Sequence, residues 1–348
     1  MKHSGFSCFV FSFLFTCSAV TFVSCKQIRA NKAKVTSFTA MNTYMTVKAY
    51  GRSAKAANLQ VQKEVERLEG ILSTTIEESD VYKINNNEMG EIPINPETAF
   101  LINHGQEFYK ITDGAFNPAL YPVIREWGFT TGEYKVPEAG RIQELLKLAD
   151  FSKVELRENV VYRPSGLQLD FGAIGKGYAG DKAIEILQAA GVRSALLDFG
   201  GNIQVLGTKP DGSDWTVGIK NPWGGEPVAA VKLRNSCMIT SGGYERFFTG
   251  DDGKKYIHIF DGATGRPVEN ELESVTIICK QGIYGDALST SLFVMGLEKA
   301  VDFWRSHGCD FDFVILTKDR RIVYSAPLKD SISLRFDFDS VRVVDQVK

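Results

Sequence analysis

The chain has 348 residues, 44% hydrophobic and 24% charged, with a formal net charge of −2. That is globular composition, long enough for one large domain or two intimate ones. The near-neutral balance, with no block of like charge, argues against a nucleic-acid partner, a polybasic arm or an acidic tail.

The N-terminus differs from the rest. Lys2 and His3 precede an apolar, aromatic run over residues 6–23, which ends at Val23-Ser24-Cys25-Lys26-Gln27. A short basic start, an apolar stretch and a small residue at the break make a secretory signal. A cysteine directly after the small residue resembles a bacterial lipoprotein signal, in which Cys25 becomes the lipidated first residue. A simple cleaved signal with a chance cysteine is the other reading, and a run this short disfavours a retained anchor. The expected organisation is a signal peptide over 1–24, a tether over 25–36 and a folded domain over 37–348. The mature protein is then exported and held on the periplasmic face of the membrane. Cys8 and Cys17 share the leader with Cys25. Cys237 and Cys279 sit in apolar, β-like runs and read as core residues, and with Cys309 they show no paired spacing of a disulfide framework or zinc site.

In chain order, residues 46–50 alternate as a strand, and Val61, Val65, Leu68 and Leu72 repeat at helical spacing. Asn95-Pro96 predicts a helix start, with proline at the first helical position. Thr112-Asp113-Gly114-Ala115-Phe116-Asn117-Pro118 is too rich in breakers to be other than a loop. Leu169-Asp170-Phe171-Gly172-Ala173-Ile174-Gly175-Lys176-Gly177-Tyr178-Ala179 reads as a strand end carrying a carboxylate, a glycine-studded turn, and a helix from about Gly177. Such a loop brings bare backbone to a phosphorylated ligand, with N–H groups at a helix N-terminus and Lys176 adding charge. Its spacing is neither that of a Walker loop nor that of the dinucleotide fingerprint, and it also fits an ordinary strand-to-helix turn. A helix over 179–190 closes at Gly191, and a short buried strand over 195–199 ends at Gly200-Gly201-Asn202. Alternation recurs at 215–219, 228–233, 238–240, 256–259 and 275–278. Helix follows from Gly285, then a hairpin over 311–316 and 322–325, then closing strands over 332–344. The pattern predicts an α+β fold with much antiparallel pairing, rather than a doubly wound sheet.

Asp286 and Thr290 lie four apart, placing a carboxylate and a hydroxyl on one helix face. Two hard oxygen ligands so placed suit Mg²⁺, although Asp286 after Gly285 also fits a helix cap. His258, among apolar neighbours, reads either as a half-buried strand residue or as a general base. Ser241-Gly242-Gly243-Tyr244 fits a hairpin connection.

Met41-Asn42-Thr43, Leu72-Ser73-Thr74, Gly114-Ala115-Phe116-Asn117-Pro118, Trp127-Gly128-Phe129, the 169–178 loop, Ser241-Gly242-Gly243-Tyr244, residues 258–267 and Asp286-Ala287-Leu288-Ser289-Thr290 occur in one order. That order resembles the ApbE family of FAD:protein FMN transferases, over nearly all of the mature chain. The resemblance implies a single ApbE-type domain that uses Mg²⁺ to cleave the pyrophosphate of FAD. FMN passes to a Thr or Ser hydroxyl of an acceptor protein in a membrane redox complex, and AMP leaves. It implies metal ligation by Asp286, Thr290 and the Ala173 carbonyl. FAD contacts fall on Met41, Thr75, Ala115, Phe116, Asn117, Asp170, Lys176 and His258, with His258 or Asp286 handling the proton. Phe116, Tyr121 and Tyr244 are candidate walls for the flavin ring. Asn42, Thr75 and Asn117 stand where the family commonly has Gly, Tyr and Asp. The rival readings are a pyrophosphatase that passes FMN to water, a non-catalytic flavin-binding lipoprotein, and a solute-binding protein, for which there is no two-lobed pattern. Asp261-Gly262-Ala263-Thr264 looks a little like an acceptor motif, but it also fits a turn.

Overall fold

The computed structural model describes residues 32–87, 91–306 and 310–346. The expected signal peptide over 1–24, with Cys8 and Cys17, lies outside them, as do Cys25 and Cys309. Nine strands form the main sheet: β1 (Lys34–Ala40), β2 (Thr43–Ala49), β3 (Ser194–Phe199), β4 (Asn202–Gly207), β5 (Ser236–Gly242), β6 (Leu272–Cys279), β7 (Phe311–Thr317), β8 (Arg321–Ser325) and β9 (Ser340–Val344). Their order across the sheet is their order along the chain. Neighbours are antiparallel except β8 and β9, which run parallel. This is the expected α+β class with a mixed, largely antiparallel sheet. The sheet takes in Lys34, Val35 and Thr36, which the sequence reading assigned to the tether. Lys34 pairs with Ala49 of β2, whose Met45, Val47 and Ala49 point inward and so fix the register along the whole of β1.

The helices among the described residues are α1 (Ala54–Leu72), α2 (Asp80–Asn86), α3 (Pro96–Ile111), α4 (Tyr121–Glu126), α5 (Ala139–Leu146), α6 (Gly175–Ala189), α7 (Gly282–Met295) and α8 (Leu297–Ser306). None is long and apolar enough to cross a membrane. Val61, Val65 and Leu68 of α1 and Ala179, Ala183 and Leu187 of α6 pack against Val47 and Leu197 of β2 and β3. Leu288 and Leu292 of α7 and Val301 and Trp304 of α8 cover Val275, Phe313 and Ile315 on the same face. The opposite face carries a small antiparallel sheet of Trp215–Ile219, Ala229–Leu233 and Ile332–Leu334, packed on Met238, Ile278, Val314 and Leu316. Strands β6 and β7 are therefore covered on both faces, which is why they read as nearly unbroken apolar runs. The expected closing strands over 332–344 divide: Ile332–Leu334 leaves for the small sheet, and β9 alone closes the large one.

Helices α6 and α7 cross at Gly177 and Gly282. A Cβ on Gly177 would stand 2.2 Å from the Gly282 carbonyl oxygen. A Cβ on Gly282 would stand 2.5 Å from the Gly177 oxygen and 1.9 Å from Gln204 Nε2, which reaches in from β4. Only hydrogen fits at either position, so the two backbones meet directly. Gly282→Ala is expected to destabilise the fold by about 1–3 kcal/mol through forced separation. Gly70→Ala, in α1 with nothing within 4 Å of the new methyl, is expected to stabilise by about 0.5–1 kcal/mol. Urea unfolding of the two variants checks the pair, and a Gly282→Ala protein as stable as wild type would show that the crossing is not fixed by contact.

Candidate active site

A cavity of about 480 Å³ opens at one end of the sheet. Two hairpin turns form one rim. The β1–β2 turn is Met41-Asn42, with φ of 49° and 55°, and the β3–β4 turn is Gly200-Gly201, with φ of 66° and 92°. Two-residue hairpins need this left-handed backbone to match the twist of the strands. Asn supports it passably and Met poorly, so the turn has outside help: Glu69 of α1 accepts the Met41 N–H at 2.8 Å. The turns nest, since a Cβ on Gly200 would stand 2.3 Å from Thr43 Oγ1.

The floor comes from α6, α7 and the end of β5. Segment 167–170 belongs to no strand, contrary to the expected strand end. The side chain of Asn85 substitutes for one, accepting the Leu169 N–H at 2.6 Å and donating to the Leu169 carbonyl at 2.8 Å. Asp170 Oδ1 accepts the Gly172 N–H at 2.7 Å in an Asx turn, and burial pushes its carboxyl pKa up. Helix α6 then starts at Gly175, two residues earlier than expected, and Lys176 reaches back to the Gly172 carbonyl at 3.4 Å. Ala173 lines the cavity beside it.

Asp286 does not cap its own helix, because α7 begins at Gly282 and Asp286 falls in its second turn. Its Oδ2 instead accepts the N–H of Gly177, in the first turn of α6, at 2.9 Å. Its Oδ1 faces Lys176 Nζ at 3.9 Å. Conversely, Asp181 of α6 accepts the first two N–H groups of α7, from Gly282 at 2.6 Å and Ile283 at 2.9 Å. Neither helix has an acidic residue in its own first turn, so each supplies the other's cap and compensating charge. Burial pushes the Asp181 pKa up to about 6, against the lowering effect of those N–H donors. Gln204 completes the joint by donating to the Gly177 carbonyl at 3.1 Å. Thr290 lies one turn beyond Asp286, its hydroxyl 3.1 Å from that of Ser241 on β5, which in turn lies 2.9 Å from Ser289 Oγ.

His258 lies just past the short strand Lys255–Ile257, in a bend rather than within the strand. Its backbone N–H and its ring Nδ1 both meet the Arg246 carbonyl, each at 3.1 Å. A carbonyl only accepts, so Nδ1 carries the proton and Nε2 is left with a free lone pair. Burial lowers the ring pKa to about 4, which keeps it neutral at pH 7. The Arg246 guanidinium donates to the Phe129 carbonyl at 2.6 Å, tying the histidine's support to the Trp127-Gly128-Phe129 turn.

Of the residues expected at the site, Met41, Ala115, Phe116, Asn117, Asp170, Ala173, Lys176, His258, Asp286 and Thr290 line this one cavity. Asn117 reaches it with its amide already engaged, donating to Ala149 O and accepting from Ala119 N. Thr75 is not there: it is exposed, and its N–H bonds the Ser73 hydroxyl in a local turn. Tyr121 and Tyr244 are not walls either. Tyr121 is buried as α4 begins, and Lys220 stacks over the Tyr244 ring. The apolar wall is made by Phe116, Leu120, Ile124, Phe129, Ile259 and Phe260. Phe129 and Phe260 come from a satellite cluster centred on Trp127, whose Nε1 donates to the Gly265 carbonyl. Arg246, Asn202, Asp181 and Gln204 are the participants the sequence reading passed over. The Gly200-Gly201-Asn202 turn was visible, but nothing in the sequence set it beside α6.

Residues 41–314 match the model of the ApbE family. The FAD:protein FMN transferase of Klebsiella pneumoniae is 33% identical over 294 residues, 82% of this chain and 90% of its own. That of Treponema pallidum is 33% identical over 317 residues, 84% and 86% of the two chains. The solved structure of the ApbE protein from Thermotoga maritima superposes with a TM-score of 0.81 at 30% identity, covering 86% of this chain and 99% of its own. The apo flavinyl transferase ApbE of Pseudomonas stutzeri gives 0.75 at 31%, covering 82% and 92%. The fold is thus that of a group of flavin-handling transferases. The chain belongs to the ApbE family.

The His258 environment fixes a pH response. A ring whose pKa falls on folding contributes stability that is complete above its unfolded value of about 6.5 and is lost as the pH drops from there toward 4. His258→Gln removes that penalty, so its melting temperature should rise relative to wild type on going from pH 7.5 to pH 5. A difference between the two proteins that does not change with pH would contradict the buried neutral ring.

Proposed function

We propose that this chain transfers FMN from FAD to a Thr or Ser hydroxyl of a protein acceptor, releasing AMP, with Mg²⁺ as the working ion. The observation that carries the reading is the meeting of Asp286, Thr290, Ala173 and Lys176 in one cavity, in a chain whose relatives are named FAD:protein FMN transferases. The donor set suits this ion. Among the described residues no group of three or more His, Cys, Asp or Glu is placed to hold a metal. One carboxylate, one hydroxyl and a backbone carbonyl are too few for an all-protein cage. They suit Mg²⁺, which takes one or two carboxylates and completes its octahedron with phosphate oxygens and water. Asp286 Oδ1 is the oxygen left for an ion, because Oδ2 is committed to Gly177 while Oδ1 meets only the Lys176 ammonium, at 3.9 Å. When bound, the ion neutralises charge on the pyrophosphate and on the departing AMP.

The chain's own groups supply the rest. Lys176 holds anionic oxygens at the start of α6. The flavin ring lies along Phe116, Phe129 and Phe260, apart from the polar floor. The acceptor hydroxyl oxygen attacks the FMN phosphorus, the bond from that phosphorus to the AMP oxygen breaks, and the hydroxyl proton passes to the free Nε2 of His258. The leader supports export and a lipid on Cys25, which sets the cavity beside acceptors of a membrane redox complex on the periplasmic face.

Incubation with FAD, Mg²⁺ and a candidate redox-complex subunit is expected to give a fluorescent acceptor band in a denaturing gel, with one AMP released per FMN attached. Asp286→Asn keeps an acceptor for the Gly177 N–H but loses the charged oxygen, and transfer should fall at least about 100-fold. Full labelling by that variant in excess Mg²⁺ would refute the ligand assignment. AMP release at an equal rate without acceptor would assign a hydrolase instead.

A further inference from the structure

Asn202 is the first residue of β4, directly after the Gly200-Gly201 turn. It is 4% exposed, it lines the cavity, and its amide nitrogen has no partner within the protein. Other buried amides near the site are engaged: Asn85 bonds Leu169 at both ends of its side chain, and Gln204 donates to Gly177. Leaving a buried donor unpaired is costly, and such groups in native proteins ask for a specific cause. The strand gives its direction. Side chains two apart share a face, so Asn202 stands on the face where Gln204 meets α6 and α7, one step nearer the cavity. That puts it against the polar floor of Lys176 and Asp286 rather than along the aromatic wall.

No internal bond holds either end of this amide, so it can turn its buried NH₂ toward a ligand in the cavity. The floor is rich in acceptors, the carboxylates of Asp170 and Asp286, and its hydroxyls at Thr240, Ser241 and Thr290 are already paired with other hydroxyls. An anionic ligand there needs donors besides Lys176, whose ammonium already faces Asp286. An uncharged NH₂ supplies one without drawing Asp286 away from Gly177 as a second cation would. We propose that Asn202 is a binding residue for the phosphate oxygens of the dinucleotide, donating through its side-chain amide. The proposal rests on FAD being the substrate, as argued above, only for the identity of that dinucleotide.

The test compares wild type, Asn202→Ala and Asn202→Asp by melting temperature without ligand and by titration with FAD, ADP and riboflavin in Mg²⁺. Because the amide bonds nothing in the protein, Asn202→Ala should melt with or above wild type. Its Kd for FAD and for ADP should rise about tenfold, the loss of one hydrogen bond to an anion. Asn202→Asp should lose more, since a third carboxylate repels phosphate. Riboflavin, which has no phosphate, should bind all three proteins alike. An Asn202→Ala protein that melts several degrees lower and binds FAD and ADP as wild type does would make Asn202 a structural residue and overturn the proposal. An equal loss of riboflavin binding would overturn it too, by moving Asn202 to the flavin ring. Wild-type binding of ADP but not of FAD, with ADP lost in Asn202→Asp, would uphold Asn202 as a phosphate ligand while removing FAD as the substrate.

Discussion

Helices α6 and α7 cap each other. Asp286 in the second turn of α7 accepts an N–H from the first turn of α6, and Asp181, in the second turn of α6, accepts the first two of α7. Each bond alone is a modest side-chain cap, typically about 1 kcal/mol. Together they lock two helix N-termini into one position relative to one another, because neither helix can slide without losing both. The Gly177–Gly282 contact makes this geometry reachable: a Cβ at either position would stand within 2.5 Å of the other helix's backbone oxygen and force the two apart. The glycine loop, Lys176, Asp286 and Thr290 all hang from this joint, so the polar floor is rigid to the extent that the joint is.

The rest of the cavity is assembled from parts with independent support. Its hairpin rim depends on left-handed residues held by Glu69 and by the nesting of Gly200 on Thr43. Its apolar wall borrows Phe129 and Phe260 from a cluster built round Trp127, outside the main core. Arg246 links wall to chemistry, with its side chain on the Phe129 carbonyl and its own carbonyl on His258. A two-ended site follows, aromatic on one side and polar on the other, the division that the proposed ligand, with a flat ring at one end and phosphates in the middle, requires.

Local pattern in the sequence was enough for the class of fold, whereas most of the residues that meet in the cavity were reached through the order of motifs along the whole chain. The helical spacing of Val61, Val65, Leu68 and Leu72, the proline opening α3 and the alternation in β2 are properties of neighbouring residues, and they survive folding unchanged. The errors arose where a distant group replaced a local one. Leu169 reads as a strand end, but both of its backbone groups are satisfied by a side chain, Asn85, 84 residues away. Asp286 looked like a helix cap; it is one, but for another helix 109 residues back in the chain. Thr75 followed the Leu-Ser-Thr motif and was carried to the site by analogy, yet the turn after α1 points it to solvent. Asp181 and Gln204 could not be singled out, since a carboxylate or amide in a polar-looking helix or a half-buried strand carries no local mark of its role.

The division of labour within one carboxylate explains why the position calls for aspartate. Oδ2 belongs to the fold and Oδ1 to the cavity, where Lys176 is its near neighbour. A Cβ on Gly177 would stand 2.8 Å from the Cβ of Asp286, so the side chain works across a gap set by bare backbone. Glutamate would need one more methylene in that gap, and would have either to open the crossing or to turn its carboxylate away from the Gly177 N–H. Asparagine fits the gap and can keep the Gly177 bond through its oxygen, but it then turns an NH₂ toward Lys176 and offers no negative charge to a cation. Stability and chemistry thus select the same short, doubly accepting, charged side chain. For that reason the residue that closes the helix joint is also the one to which the proposed ion is assigned.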